Sequence, residues 1–309
     1  MFKSKKFQYL IPVSIIFAFA IIIFALGSVY DKPFAESIYN HNHLKMSVFS
    51  TAFCLIGPLV TNFFGAFSSV ALFLTAKRQS KFWTVILTIY AVCGFIMTSY
   101  FAYTSSTEFI TYLRTDNEIL KASLDYITFS IILIMDAVVG YFTYKKVKTL
   151  DKEKVFWTAL MMLLIIGLIA ILGEVIKYLA SRPRPRLIFS DSTYEFKEWY
   201  QWNPFYGFKV EECKSFISGH SNNGAAVITL LPLFLSLTRL SEKKYFIPVT
   251  VSIGGLYWAI IVLSRLLALA HFLTDVAGAC IVSIVFQILI LFVVEKIKNK
   301  TEAKASVSN

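Results

Sequence analysis

Long apolar runs separated by short polar connections recur from one end of the chain to the other. At about 1.5 Å per residue, a helix of roughly 20 apolar residues crosses a hydrocarbon layer ~30 Å thick. The pattern predicts about eight such spans. They run Gln8–Val29, Met46–Ala76, Phe82–Tyr103, Leu124–Tyr144, Val155–Ala180, Phe216–Leu237, Tyr245–Leu263 and Leu266–Val294. Backbone in lipid must satisfy its own hydrogen bonds, and a helix does so within one segment. The expected fold class is therefore all-α, a polytopic membrane helical bundle. The second run is long enough to tilt, or to bend at Gly57-Pro58. Lys3, Lys5 and Lys6 ahead of the first run fit a cleaved signal peptide or an uncleaved first helix. The length of the run, with no small-x-small site after it, favours the helix. Residues 299–309 are polar and are expected to form a disordered tail.

Composition supports this reading and charge gives it a direction. Of the 309 residues 57% are hydrophobic and 16% charged, where a soluble domain carries roughly a quarter charged residues. The net charge of +11 raises nucleic acid as a partner, but the basic residues sit in short connections between spans, as topology determinants do. Nucleic-acid binding is not expected. Lys3/Lys5/Lys6, Lys77/Arg78/Lys81, Lys145/Lys146/Lys148/Lys152/Lys154, Arg239/Lys243/Lys244 and Lys296/Lys298/Lys300/Lys304 occupy alternate connections. With eight spans they share one side, which makes both termini cytoplasmic in a plasma membrane, with a bacterial one favoured. Residues 181–215 break the pattern, with Arg182, Arg184, Arg186, Lys197, Lys209 and Lys214 on the outside. A loop beside lipid headgroups tolerates charge. Arg-Pro-Arg-Pro-Arg is tighter than tolerance requires, because the prolines stop the helix and hold the arginines extended at its mouth. That placement suits an anionic ligand. Cys54, Cys93 and Cys280 fall in apolar runs and Cys213 stands alone, so no disulfide framework or zinc-type spacing is read and the four are taken as structural.

Near the outer ends of the later spans lie groups that a membrane chain otherwise avoids. Lys177 and Arg184 are seven residues apart, two turns on one face if the helix continues, so both address one anion. A lone Lys at a helix end is ordinarily snorkelling, and Glu174 is either its ion-pair partner or an acid that positions it. Ser218-Gly219-His220 opens the sixth span, where a helix start offers backbone N–H groups and a hydroxyl to phosphate oxygens. His220 sits at the same mouth as a proton donor. Ser264-Arg265 ends the seventh span. His271 and Asp275 follow four residues apart, within reach of each other across one helical turn. A structural His-Asp pair inside a bundle is the ordinary alternative. It does not explain why both histidines of the C-terminal half share a face with Lys177, Arg184 and Arg265.

As a set, Lys177 with Arg184-Pro185, Ser218-Gly219-His220, and Ser264-Arg265 with His271 and Asp275 resemble the three-part signature of the type 2 phosphatidic acid phosphatase (PAP2) superfamily. Ile217 stands where that signature has Pro. The resemblance covers roughly Phe82 to Val294, six spans matching a six-helix catalytic core at 82–298, with residues 1–81 as two added N-terminal helices. It implies an enzyme that hydrolyses a lipid phosphomonoester or diphosphate without metal or other cofactor, through a phosphohistidine. His271 would be the nucleophile, Asp275 its orienting carboxylate and His220 the general acid. Lys177, Arg184, Ser218, Gly219 and Arg265 would form the phosphate pocket. The implied partner is a membrane lipid substrate of the phosphatidic acid, phosphatidylglycerophosphate or undecaprenyl diphosphate type, met at the outer face. A lipid phosphotransferase on the same site and a non-enzymatic anion transporter are the competing readings; a vanadium haloperoxidase, whose cradle is related, fits a membrane chain less well. His41 and His43 are weak metal-ligand candidates without a partner cluster. Asp136, in the middle of the fourth span, has no partner in sequence, and the Trp199–Trp202 patch reads as an interface anchor.

Overall fold

The computed structural model describes residues 2–42, 47–77, 80–108, 110 and 117–307. Among them nine α-helices and two short 3₁₀ turns form one bundle with no strands. The helices are α1 (Phe2–Asn42), α2 (Val48–Ala76), α3 (Lys81–Ser106), α4 (Glu118–Val147), α5 (Lys152–Ala180), α6 (Pro185–Ser190), α7 (Gly219–Leu235), α8 (Phe246–Leu267) and α9 (Leu273–Val307). Side-chain caps fix several starts: Ser47 accepts from Ser50 N, Asn117 from Leu120 N and Asp151 from Glu153 N, which satisfies amides that have no acceptor in the first turn. Helix α9 runs to Val307, into the segment expected as a tail. His43, Met46 and Arg78 lie outside the described residues, and His41 ends α1 with Nδ1 2.9 Å from Ser37 O.

Seven helices among the described residues are long and apolar enough to cross a membrane. The remaining candidate, α7, has 17 residues, about 25 Å at 1.5 Å per residue. Its sequence opens Gly-His-Ser-Asn-Asn-Gly, so its first turns suit a polar pocket rather than lipid. Twelve of the 17 residues of α7 are buried between its neighbours and none is exposed. At Gly254 of α8 a Cβ would stand 2.6 Å from Ile228 Cα of α7, so only glycine lets these backbones approach so closely.

Burial separates inner from outer helices. The most apolar window of α2 is 67% buried, against 17% for α3 and 22% for α4. Helix α2 is thus central, and the outer helices present residues such as Trp83, Ile89, Ile96, Phe129 and Ile134 to lipid. Asp136 finds its partners across this boundary: Asn62 Nδ2 of α2 donates to Oδ1 at 2.8 Å and Ser99 Oγ of α3 to Oδ2 at 2.7 Å. That is the pairing an acid at membrane depth requires. The N-terminal helices are therefore built into the bundle. Helix α1 packs along α9 and α8, and α2 touches α3, α4, α5, α7, α8.

The two ends of the bundle differ. At one, Lys154 Nζ donates to Ser236 O, and Lys145 and Lys146 line an apolar crevice with Leu237 and Thr238. The opposite end carries the segment 181–218.

Candidate active site

The site is assembled at that second end by helix termini and the segment between α5 and α7. Helix α5 stops at Ala180, where Ser181 takes a left-handed conformation with φ 43°. Lys177 and Arg184 are therefore not two turns apart on one helix. The chain then runs extended to Arg184, which begins α6 with Pro185 in its first turn. Backbone bonds tie this stretch down: Ser215 N donates to Arg182 O, Arg184 N to Glu212 O, Arg186 N to Leu269 O and Ser218 N to Asp275 O.

The five expected phosphate-binding residues fall into three placements: Lys177 and Gly219 line one pocket, Arg184 and Arg265 meet on Glu108, and Ser218 caps α7. Lys177 Nζ sits over the start of α7, where a Cβ on Gly219 would approach it to 2.8 Å, so Gly219 makes room for the ammonium. Lys177 pairs with Glu174 at 2.5 Å, which gives Glu174 a role as counter-ion. Ser218 uses its hydroxyl to cap Ser221 N. By helix geometry the amides of Gly219 and His220 have no acceptor within α7, and they carry the positive end of its dipole. Arg184 and Arg265 both bind Glu108, just past α3: Arg184 Nη1 on Oε1, and Arg265 Nη2 on Oε2 at 2.9 Å. His220 Nδ1 lies 3.6 Å from the same Oε2. Arg184 Nε and Arg265 Nε are buried with no acceptor among the described residues.

His271 lies in the connection ahead of α9, buried to 3% exposure. Its expected partner was Asp275, but Nδ1 is 3.9 Å from Asp275 Oδ2, too far for a hydrogen bond, and 2.8 Å from Ser215 O. A carbonyl only accepts, so Nδ1 carries the proton and Nε2 keeps its lone pair. The reason lies in the start of α9. Asp275 occupies its third position and turns back to accept from Phe272 N at 2.8 Å, as in a capping box. Its oxygens also accept from Ser215 Oγ at 2.5 Å and from Arg182 Nη1 at 2.7 Å. The carboxylate thus positions Ser215, and through it His271.

Arg182 differs from the other two arginines of its run. It points inward, donates to Thr274 Oγ1 and Asp275, and pairs with Asp31 of α1 at 3.0 Å. Its guanidinium lies 4.2 Å over the Phe272 ring. Both Arg182 and Asp31 are almost wholly buried, so this cation is spent inside the scaffold. The expectation that all three arginines face an anionic ligand is corrected here for Arg182.

Burial and charge together set the protonation states outside the spans. Burial raises the Glu108 carboxyl, yet the charges of Arg265 and Arg184, with a smaller share from Arg186, outweigh it and hold the group well below the carboxylate range. Burial, then the positive charges of Arg184 and Arg265, keep His271 well below the usual histidine value, so its imidazole is neutral. Arg184 is raised, Glu108 and Glu212 overcoming its desolvation.

Several of these residues carry no sequence signal. Glu108 belongs to no motif. Asp31 falls beyond Val29, where the first span was expected to end, although α1 continues to Asn42. Cys54, read as merely structural, sits with Sγ 4.0 Å from His220 Nε2 and 3.2 Å from Arg265 Nη1. Cys54, Glu108 and His220 bring ligand atoms within 4.8 Å of one another, but the guanidiniums already on that carboxylate and sulfur repel a divalent cation.

Sequence comparison reaches the same region. A family model described as the PAP2 superfamily matches residues 158–298. Phosphatidylglycerophosphatase B of Bacillus subtilis (strain 168) is 30% identical over 173 residues, covering 55% of this chain and 70% of that protein. No solved structure matches. The matched residues include every motif from Lys177 to Asp275, and with that likeness the chain belongs to the PAP2 superfamily.

Proposed function

We propose that this protein is an integral membrane lipid phosphatase that removes phosphate from a lipid phosphomonoester or diphosphate at the outer face of the plasma membrane. The relative's name favours phosphatidylglycerophosphate as the substrate class. One observation carries the reading: Arg184, Arg265 and His220 converge on one carboxylate at the end of the bundle where His271 sits, neutral and held by Ser215. Arg184, Arg265, Lys177 and the first amides of α7 neutralise the phosphoryl oxygens, the main requirement of phosphoryl transfer. His271 Nε2 attacks phosphorus and forms the N–P bond while the P–O bond to the lipid breaks. His220 delivers a proton to the departing oxygen. Water then attacks the phosphohistidine, and inorganic phosphate and free His271 result. Positive charge from fixed side chains takes the part that a metal plays elsewhere, which supports a metal-independent reaction.

The test is phosphate release from phosphatidylglycerophosphate, phosphatidic acid and undecaprenyl diphosphate by detergent-purified protein in excess EDTA. Release from one lipid despite chelation is expected. His271→Ala is expected to lower it by at least ~10³-fold; full activity in that variant sinks the mechanism.

A further inference from the structure

Glu108 holds the position at which an anionic ligand would meet the arginines. Its Oε1 accepts from Arg184 Nη1, and from Arg186 Nη2 at 3.3 Å; its Oε2 accepts from Arg265 Nη2 at 2.9 Å and faces His220 Nδ1 at 3.6 Å. The side chain is 17% exposed. Arg186 also forks onto Glu212 at 2.5 and 2.7 Å, and Lys177 has Glu174. Arg184 and Arg265 share Glu108. Two carboxylate oxygens gripped by guanidinium N–H groups reproduce two oxygens of a phosphoryl group. The imitation is incomplete: Arg184 Nε and Arg265 Nε stay buried without an acceptor among the described residues, and a phosphoryl group brings a third oxygen to them.

We propose that Glu108 is an internal ligand of the phosphate cradle, which its carboxylate occupies between turnovers and which an incoming phosphoryl group must win from it. This deepens the phosphatase reading and rests on it. Buried guanidiniums left bare are strongly unfavourable, so Glu108 keeps the cradle neutralised between turnovers. It also weakens every phosphate ligand by a common factor. A lipid recovers that factor through its tail, whereas inorganic phosphate has nothing else to hold it. The product therefore leaves, and free phosphate does not block the enzyme.

The experiment compares inorganic phosphate binding to the full chain in detergent by calorimetry, and as competitive inhibition, for wild type, Glu108→Gln, Glu108→Asp and Arg265→Ala. Glu108→Gln keeps the shape and loses the charge; it is expected to bind phosphate about tenfold tighter or more, a gain of ~1.4 kcal/mol or more. Glu108→Asp keeps the charge and should not share the gain. Should Glu108→Gln be fragile without phosphate, the rise of its unfolding midpoint with phosphate concentration reports the same affinity. Phosphate binding by folded Glu108→Gln that equals or falls below wild type overturns the proposal, and so does an equal gain in Glu108→Asp. Loss of turnover with unchanged phosphate binding makes Glu108 a positioning group for His220 and overturns it as well. Unchanged phosphate binding in Arg265→Ala overturns the proposal too, whereas the phosphatase reading fails separately, if the wild-type chain releases no phosphate from any of the three lipids.

Discussion

A carbonyl oxygen cannot donate, so the 2.8 Å contact between Ser215 O and His271 Nδ1 settles which ring nitrogen is free for chemistry. Asp275 secures that carbonyl by binding Ser215 Oγ and Phe272 N while Arg182 holds its other oxygen. Asp275→Asn puts an amide donor against one of these donors. It is expected to lower kcat by roughly 10²-fold or more with little change in KM, because the group touches the support of the proposed nucleophile and not the substrate; steady-state kinetics on a lipid phosphate checks it. A pH effect follows from His271 itself. Its folded pKa is held well below the ordinary value of 6.5, so below pH 6.5 the unfolded chain binds a proton that the folded chain refuses. Stability therefore falls as pH drops from 6.5 toward 5, by up to about 1.4 kcal/mol per pH unit for this one group. Thermal unfolding over that range should show a shallower slope in His271→Gln. Among the residues, Lys177, His220, Arg265 and His271 could be picked out in sequence because polar and charged groups at span ends stand out against the apolar runs. Glu108 was not, because its role comes from where α3 ends relative to three arginines far along the chain.

At the scale of elements, the clamp between α1 and α9 shows what a helix contributes beyond its apolar face. Asp31 of α1 accepts from Arg182, from Thr274 N at 3.0 Å and from Thr274 Oγ1. Removing one partner of a buried pair strands the other charge. Asp31→Ala is expected to destabilise the protein by about 3–5 kcal/mol, measured by unfolding in detergent, since it leaves Arg182 with one carboxylate fewer. Five of the eight spans were legible from apolar run length alone to within four residues at each end, while α1, α4 and α9 depart further, α9 starting at Leu273 rather than Leu266. Two departures have physical causes. Helix α1 outruns its apolar stretch because its last turns pack on protein, Tyr39 stacking on Phe189 of α6 with ring centroids 4.7 Å apart. Helix α7 is shorter than its apolar flanks implied, since Phe216 and Ile217 belong to the buried approach to the helix and not to a span. The Trp199–Trp202 patch is divided: Trp199 packs on Phe24 at 5.0 Å, while Trp202 is 49% exposed.

For the whole molecule, the interior position of α2 bears on how the chain can be divided. The match at 158–298 describes the helices that carry the motifs, yet α2 sets Cys54 against His220 and Arg265, and Gly57 O accepts from Tyr257 Oη of α8 at 2.8 Å. The motif-bearing part is thus incomplete as a physical object. Residues 80–309 expressed alone should insert into membranes and release no phosphate from a lipid. Supplying residues 1–77 as a separate polypeptide in the same cells should restore activity, because the two pieces meet through packing and hydrogen bonds rather than through the short peptide that joins them. Phosphate release by the isolated membranes distinguishes these cases. A gene cut at that connection would then behave as two complementing halves of one enzyme.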